Sequence, residues 1–147
     1  MSVLAVCAQT VTARAVDEDT NAFNAVMEAM KLPRKTAEEI SARDAALLAG
    51  YKLAIAVPLE TARACVEAAR LAKESVPGNR NSASYAGVAA LMARVGTHGA
   101  ALNVLINRGS VADAAYVADM KKAAAELRAE AARFCAETVA AVEATFG

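Results

Sequence analysis

The chain has 147 residues, 56% of them hydrophobic and 4% aromatic, with 16 basic and 16 acidic residues giving a formal net charge of zero. That length suits one domain, residues 1–147, with room for a real core. The balanced charge, with no basic patch or aromatic platform, argues against nucleic acid. Charged residues interrupt every apolar run before the roughly 20 residues of a membrane span, so no membrane is expected as a partner.

Alanine makes up roughly a quarter of the chain and is the strongest helix former, while β-branched alternation is scarce. The expected fold is therefore all-α, an antiparallel bundle of long, closely packed helices. Cys7, Cys65 and Cys135 are far apart and form no paired-cysteine motif. Neither a zinc site nor a disulfide framework is expected, and reduced thiols suit the cytoplasm. No basic residue precedes the apolar start, so no secretory signal is expected.

Residues 3–31 read as one helix, closed by Pro33. Phe23, Val26, Met27 and Met30 recur at helical spacing as its expected apolar stripe, with Thr12, Ala15 and Val16 in line. At about 100° per residue, Asp19 points within roughly 40° of Phe23, Val26 and Met30. Asp17 and Glu28 point elsewhere. Two readings of Asp19 stand side by side. On an apolar stripe it loses water, which disfavours its charge and suits a general acid or base. Alternatively, Asp17-Glu-Asp-Thr20 starts a helix and Asp19 is solvated.

Thr36-Ala-Glu-Glu39 is a capping box that opens the second helix. Its expected stripe runs Ile40, Leu47, Leu48, Tyr51, Ile55, Leu59, Ala62, Val66, Ala69 and continues in phase across Pro58. This predicts a helix kinked at Pro58, or two helices nearly in line. Arg43 suits a substrate carboxylate or, four residues after Glu39, a solvated pair.

Val76-Pro-Gly-Asn-Arg-Asn-Ser82 is the clearest loop. Ser82 or Ser84 caps a third helix carrying Val88, Leu91, Met92, Val95, Leu102 and Ile106. Gly96, Gly99, Asn103 and Asn107 cluster on a second face, where the glycines point to close approach of a backbone or a ligand. Asn103 and Asn107 lie four apart and share that face. They suit a heterocycle's donors and acceptors, or they bond neighbouring helix ends. His98 and Tyr85 are weaker candidates, each open to a packing role. Gly109 ends this helix, and Ser110-Val-Ala-Asp113 resembles another cap. The last helix, to about Phe146, carries Val117, Met120, Ala124, Leu127, Ala131 and Phe134.

Several pieces recur in a specific order: Val16-Asp17-Glu18-Asp19 with Ala22-Phe23, Ala29-Met-Lys-Leu-Pro33, Thr36, Glu38-Glu39, Arg43 and Val57-Pro58-Leu59. Gly78-Asn79, Ser84, Gly87-Val-Ala-Ala90 and Gly99-Ala-Ala-Leu-Asn-Val-Leu-Ile-Asn107 follow. Together they resemble the formiminotetrahydrofolate cyclodeaminase / methenyltetrahydrofolate cyclohydrolase family. The resemblance implies an all-helical, usually dimeric domain acting on a reduced folate, with no metal and no cofactor beyond the tetrahydrofolate substrate. It places the proton-transfer group on Asp19 and the folate cleft on Asn103 and Asn107. Arg43, the candidate for a substrate carboxylate, would then help with the glutamate tail. The sequence departs from the family pattern in two places. The family's N-terminal helical segment, with its glycine-rich stretch, is not matched, which suggests a partner subunit supplying it. Tyr85 stands where the family has an aspartate. A non-catalytic helical dimer or subunit on the same scaffold is the alternative these departures raise.

Overall fold

The structure is a computed structural model that describes the backbone of residues 3–78 and 82–147 and the side chains from Arg14 onward within those ranges. The side chains of Cys7 and Thr12, and the whole of Asn79, therefore lie outside what is described. Four helices follow one another: α1 (Val3–Lys31), α2 (Ala37–Ser75), α3 (Ala83–Asn107) and α4 (Ala114–Glu143). Short 3-10 turns over Val76–Gly78 and Arg108–Ser110 join the last three.

The helix ends are set by local chemistry. Thr36 Oγ1 accepts from the Glu39 N–H at 3.2 Å, and the Glu39 carboxylate accepts in return from the Thr36 N–H, also at 3.2 Å. This is the capping box the sequence predicts. Asp113, rather than Ser110, caps α4, accepting from the Tyr116 N–H at 3.0 Å. Lys52 Nζ meets the same carboxylate at 2.9 Å and stands over the Tyr116 ring. The Tyr116 backbone N–H and the Lys52 ammonium together hold the Asp113 carboxyl below its ordinary range.

Neighbouring helices run antiparallel. Val26 of α1 lies on Gly50 of α2, Cys65 of α2 lies under Gly96 of α3, and Gly87 of α3 meets Val142 of α4. Lys52 pairs with Asp113 near the start of α4 and Lys73 with Glu137 near its end, so α2 and α4 run the same way. The α2–α3–α4 core centres on Ile55, Leu59, Val66, Val104, Leu127 and Phe134, with buried alanines filling the contacts between them. Alanine at the contacts brings helix axes close together. Two buried hydroxyls, Thr97 and Thr138, donate to carbonyls four residues back, Ala93 and Phe134, and so enter the core without an unmet polar group.

The expected stripes hold along α2 from Ile55 to Ala69 and along α4 from Ala124 to Phe134. They fail on the other two helices. On α1 the buried face is Ala22, Val26 and Ala29, whereas Phe23, Met27 and Met30 are exposed. Gly50 has no Cβ, so α1 descends onto α2 with its small residues and leaves the large ones on the adjoining face. On α3 the buried face is likewise small, Ala83, Ala86, Ala90, Ala93, Ala100 and Ala101, and Val88, Leu91, Met92, Val95, Leu102 and Ile106 point outward. Ile40 and Leu48, early in α2, are exposed too, and no residue from Lys31 to Ala49 is buried.

By length and composition α2 and α3 are each long and apolar enough to cross a membrane. The spacing of single charges had pointed the other way. Both helices are central to the core of this bundle.

Candidate functional site

A single continuous α2 runs through Pro58, which is buried. Proline has no N–H, so the carbonyl of Ala54, four residues earlier, loses its helical donor. Asn107, at the end of α3, supplies one: its Nδ2 donates to the Ala54 carbonyl at 3.0 Å. The side chain that spacing offered as a folate ligand is thus occupied in repairing α2. We predict that Asn107→Ala costs about 1 kcal/mol, the penalty of leaving a half-buried acceptor without its donor. In a Pro58→Ala background, where the alanine N–H serves Ala54 directly, the same change costs far less. A denaturant double-mutant cycle measures the difference.

This repaired stretch of α2 forms the floor of a cleft of about 410 Å³. Val57, Pro58 and Thr61 lie beneath it. One wall is α1, with Ala15, Val16, Asp19 and Thr20, and the other is α3, with Gly96, Ala100 and Asn103. The volume is that of a small-molecule site, and the lining is mostly apolar with a few polar groups, as such sites are. Gly96 is required here by contact: a Cβ at that position falls 2.8 Å from Cys65 Sγ, so glycine lets the α3 wall close on α2. Burial pushes the Cys65 thiol up from its ordinary range, which keeps it protonated and unreactive.

The polar groups of the cleft have a definite hydrogen-bonding character. Thr20 Oγ1 donates to the Val16 carbonyl at 2.9 Å, and Thr61 Oγ1 donates to the Val57 carbonyl at 3.1 Å. Both hydroxyl protons are spent inside their own helices, which leaves the oxygens as acceptors. Asp19 offers its carboxyl oxygens as acceptors. Among the described residues neither Asp19 nor Asn103 has a hydrogen-bond or ion-pair partner, so both are available to a ligand. The cleft therefore presents mainly acceptors, with the Asn103 amide as its side-chain donor.

Of the residues singled out from sequence, the fold brings Asp19 and Asn103 into this one cleft. Asn107 and Arg43 are not among its lining residues. Arg43 is half-buried on the first part of α2, and its Nε is buried without a partner among the described residues. Tyr85 is 75% exposed and lies away from the cleft, while His98 is paired with Arg128 of α4 at 2.6 Å. The desolvation expected of Asp19 is absent, because the face it shares with Phe23 and Met30 is open and Asp19 is exposed with it. Thr20 and Thr61 escaped notice in the sequence. The available signal was their helical register with Asp19 and Pro58.

The sequence model of one family, described as formiminotransferase-cyclodeaminase, matches residues 4–126. The chain belongs to this family. A methenyltetrahydrofolate cyclohydrolase of Methylorubrum extorquens is 42% identical over 117 residues, which is 79% of this chain and 56% of that protein. The formimidoyltransferase-cyclodeaminase of Sus scrofa is 39% identical over 117 residues, 79% of this chain and 22% of that one. The chain thus spans about half or less of the length of these curated relatives. In structure it resembles the formiminotetrahydrofolate cyclodeaminase of Thermotoga maritima, with a TM-score of 0.79 and 23% identity, covering 95% of this chain and 66% of the other. That likeness shows that the four-helix arrangement is shared with the part of that structure it covers.

Proposed function

We propose that this cleft binds a reduced folate and that the protein catalyses a cyclohydrolase or cyclodeaminase reaction on its one-carbon unit. The meeting of Asp19 and Asn103 in a single cleft, in a chain of this family, carries the reading. The acceptor-rich lining supports it, because the amino and ring N–H groups of a reduced pterin are donors. The apolar floor of Val57 and Pro58 suits the flat ring itself.

In the hydrolytic direction, water adds to the carbon bridging the two folate nitrogens. One water proton leaves to the Asp19 carboxylate as the hydroxyl adds to the carbon; the bond from that carbon to one nitrogen then breaks, that nitrogen takes up a proton from Asp19, the remaining hydroxyl proton is lost to solvent, and a formyl group remains on the other nitrogen. In the cyclising direction, the second folate nitrogen attacks the formimino carbon, its proton goes to Asp19, and the departing nitrogen leaves as ammonia after taking up two protons, the one held by Asp19 and one from solvent. Both directions need one group that accepts and returns a proton beside the reacting carbon. Asn103 holds the ring. Arg43, with its partnerless Nε, is the candidate for the folate's glutamate tail, reached from outside the cleft. Two copies of the chain form the working unit, a reading that the apolar residues exposed on α1 and α3 support.

An absorbance assay tests the reading. Purified protein with methenyl-tetrahydrofolate should bleach the methenyl chromophore above the spontaneous rate, or generate it from formimino-tetrahydrofolate. No change with either compound returns the chain to its alternative, a scaffold that keeps the helices and lacks the chemistry. The exposed Tyr85, in the place of a family aspartate, is the observation that favours that second reading.

A further inference from the structure

Two contacts fix how α3 runs against α2. Cys65 lies under Gly96, where a Cβ would fall 2.8 Å from its Sγ. Asn107 Nδ2 donates to the Ala54 carbonyl at 3.0 Å. The contacts are eleven residues apart on both helices (54 to 65 and 96 to 107), so the antiparallel pair keeps one register over about three turns. Counted inward from either contact, Asn103 falls opposite Pro58 and Ala100 opposite Thr61, and all four line the cleft. We infer that Asn107 is a positioning residue: its bond to Ala54 sets the register of the end of α3 on α2, and so the place of Asn103 over the Val57–Pro58 floor. The geometry stands without a ligand; the consequence for turnover rests on the folate reading above.

Three observations single out this bond. First, among the described residues of α2 and α3 no other hydrogen bond or ion pair joins the two helices. The rest of their contact at this end is apolar, with Ala100, Ala101 and Val104 of α3 buried. Such packing is non-directional, whereas a hydrogen bond fixes angle as well as distance. Second, the α2 side is held independently. The Lys52 carbonyl, two residues before Ala54, accepts from the Tyr116 hydroxyl at 3.2 Å, and the Lys52 ammonium pairs with Asp113 at 2.9 Å. Both partners sit at the start of α4, so loss of the Asn107 bond releases the end of α3 and leaves the floor in place. Third, Pro58 makes the bond necessary and is itself the floor. The residue that leaves Ala54 without a helical donor is the one that Asn103 stands opposite. Asn103 is one turn, about 6 Å, from Asn107 along α3, close enough for the bond to set where its amide stands.

Steady-state kinetics test the role. Asn107→Ala should raise KM for the folate about fivefold or more and change kcat by less than about twofold, the pattern of lost uniform binding. A merely structural residue would lower the active fraction, and so kcat, with KM unmoved. Asn107→Asp has the same size without the donor and should match Asn107→Ala. With Asn103→Ala already in place, Asn107→Ala should raise KM less than about twofold further, since both act through one contact. In Pro58→Ala, where Ala54 has its helical donor, the effect of Asn107→Ala should shrink likewise. Effects at 103 and 107 that multiply independently would put Asn107 on the ligand itself and overturn the proposal, as would an unmoved KM in either Asn107 variant. A second arm needs no folate. In the free protein, Asn107→Ala should quicken amide exchange over residues 102–107 and leave the turn around Gly96 as protected as before. Unchanged exchange over 102–107 overturns the positioning role whatever the folate assays give. Wild type that neither binds nor turns over a reduced folate overturns the folate reading instead, and the exchange result then decides the register alone.

Discussion

Asp19→Asn should lower turnover by about 10²–10⁴-fold, the usual worth of a positioned proton-transfer group. Asparagine keeps the size and one acceptor oxygen, so a ligand that only hydrogen-bonds Asp19 is held nearly as before. What is lost is the capacity to take a proton and give it back. The expected pattern is therefore a fall in kcat with KM changed by less than tenfold. Folding should be untouched, because Asp19 is exposed and pairs with no described residue. Asn103→Ala makes the contrast. It removes the cleft's side-chain donor and should raise KM with a smaller effect on kcat, as expected of a group that binds ground state and transition state alike. Steady-state kinetics on the two variants separate the roles. Equal kcat for wild type and Asp19→Asn would remove Asp19 from the chemistry.

The two site residues that meet in the cleft were legible because helical register is a local property. Asp19 and Asn103 each sit at a computable angle on their own helix. Their meeting depended on α1 and α3 both lying against α2, which no local pattern states. Asn107 shows the opposite case. Its register with Asn103 suggested a shared ligand, yet its partner is a backbone carbonyl on α2. The clue was Pro58, which guarantees that Ala54 lacks its helical donor, but sequence alone does not say which helix supplies the replacement.

The faces of α1 and α3 were misread for one physical reason. Periodicity marks large apolar residues as core, but in this bundle the core contacts are made by the small ones. Where Ala22, Ala29 and the alanines of α3 face inward, axes approach closely and the area buried per residue is modest. The larger residues, displaced to the outer faces, are then free for contact beyond the single chain. On α2 from Ile55 onward and on α4 large and small apolar residues share one face, so there the pattern and the packing agree.

Gly50→Val should detach α1 and silence the site without unfolding the rest. A Cβ at Gly50 falls 2.9 Å from Val26 Cγ2 and 3.2 and 3.3 Å from the Val26 backbone N and Cα. The first contact is with a side chain that can rotate; the other two are with the backbone of α1, which can only move away as a unit. Valine adds two further methyl groups to that clash, and overpacking of this kind costs about 1–3 kcal/mol. Among the described residues of α1 the buried ones are Ala22, Val26 and Ala29, and the clash falls on the middle one of these. The core of α2, α3 and α4 does not use Gly50 and should persist. Amide exchange should therefore quicken along α1 while the Ile55, Val104 and Leu127 regions stay protected. Turnover should drop at least tenfold, because Asp19 leaves the wall opposite Asn103. Adding Val26→Ala removes the side-chain contact and leaves the backbone ones, so rescue should be partial. Full rescue would place the obstruction in the Val26 side chain and leave the α1 backbone free of it. Uniform loss of protection across all four helices would make α1 part of one cooperative core.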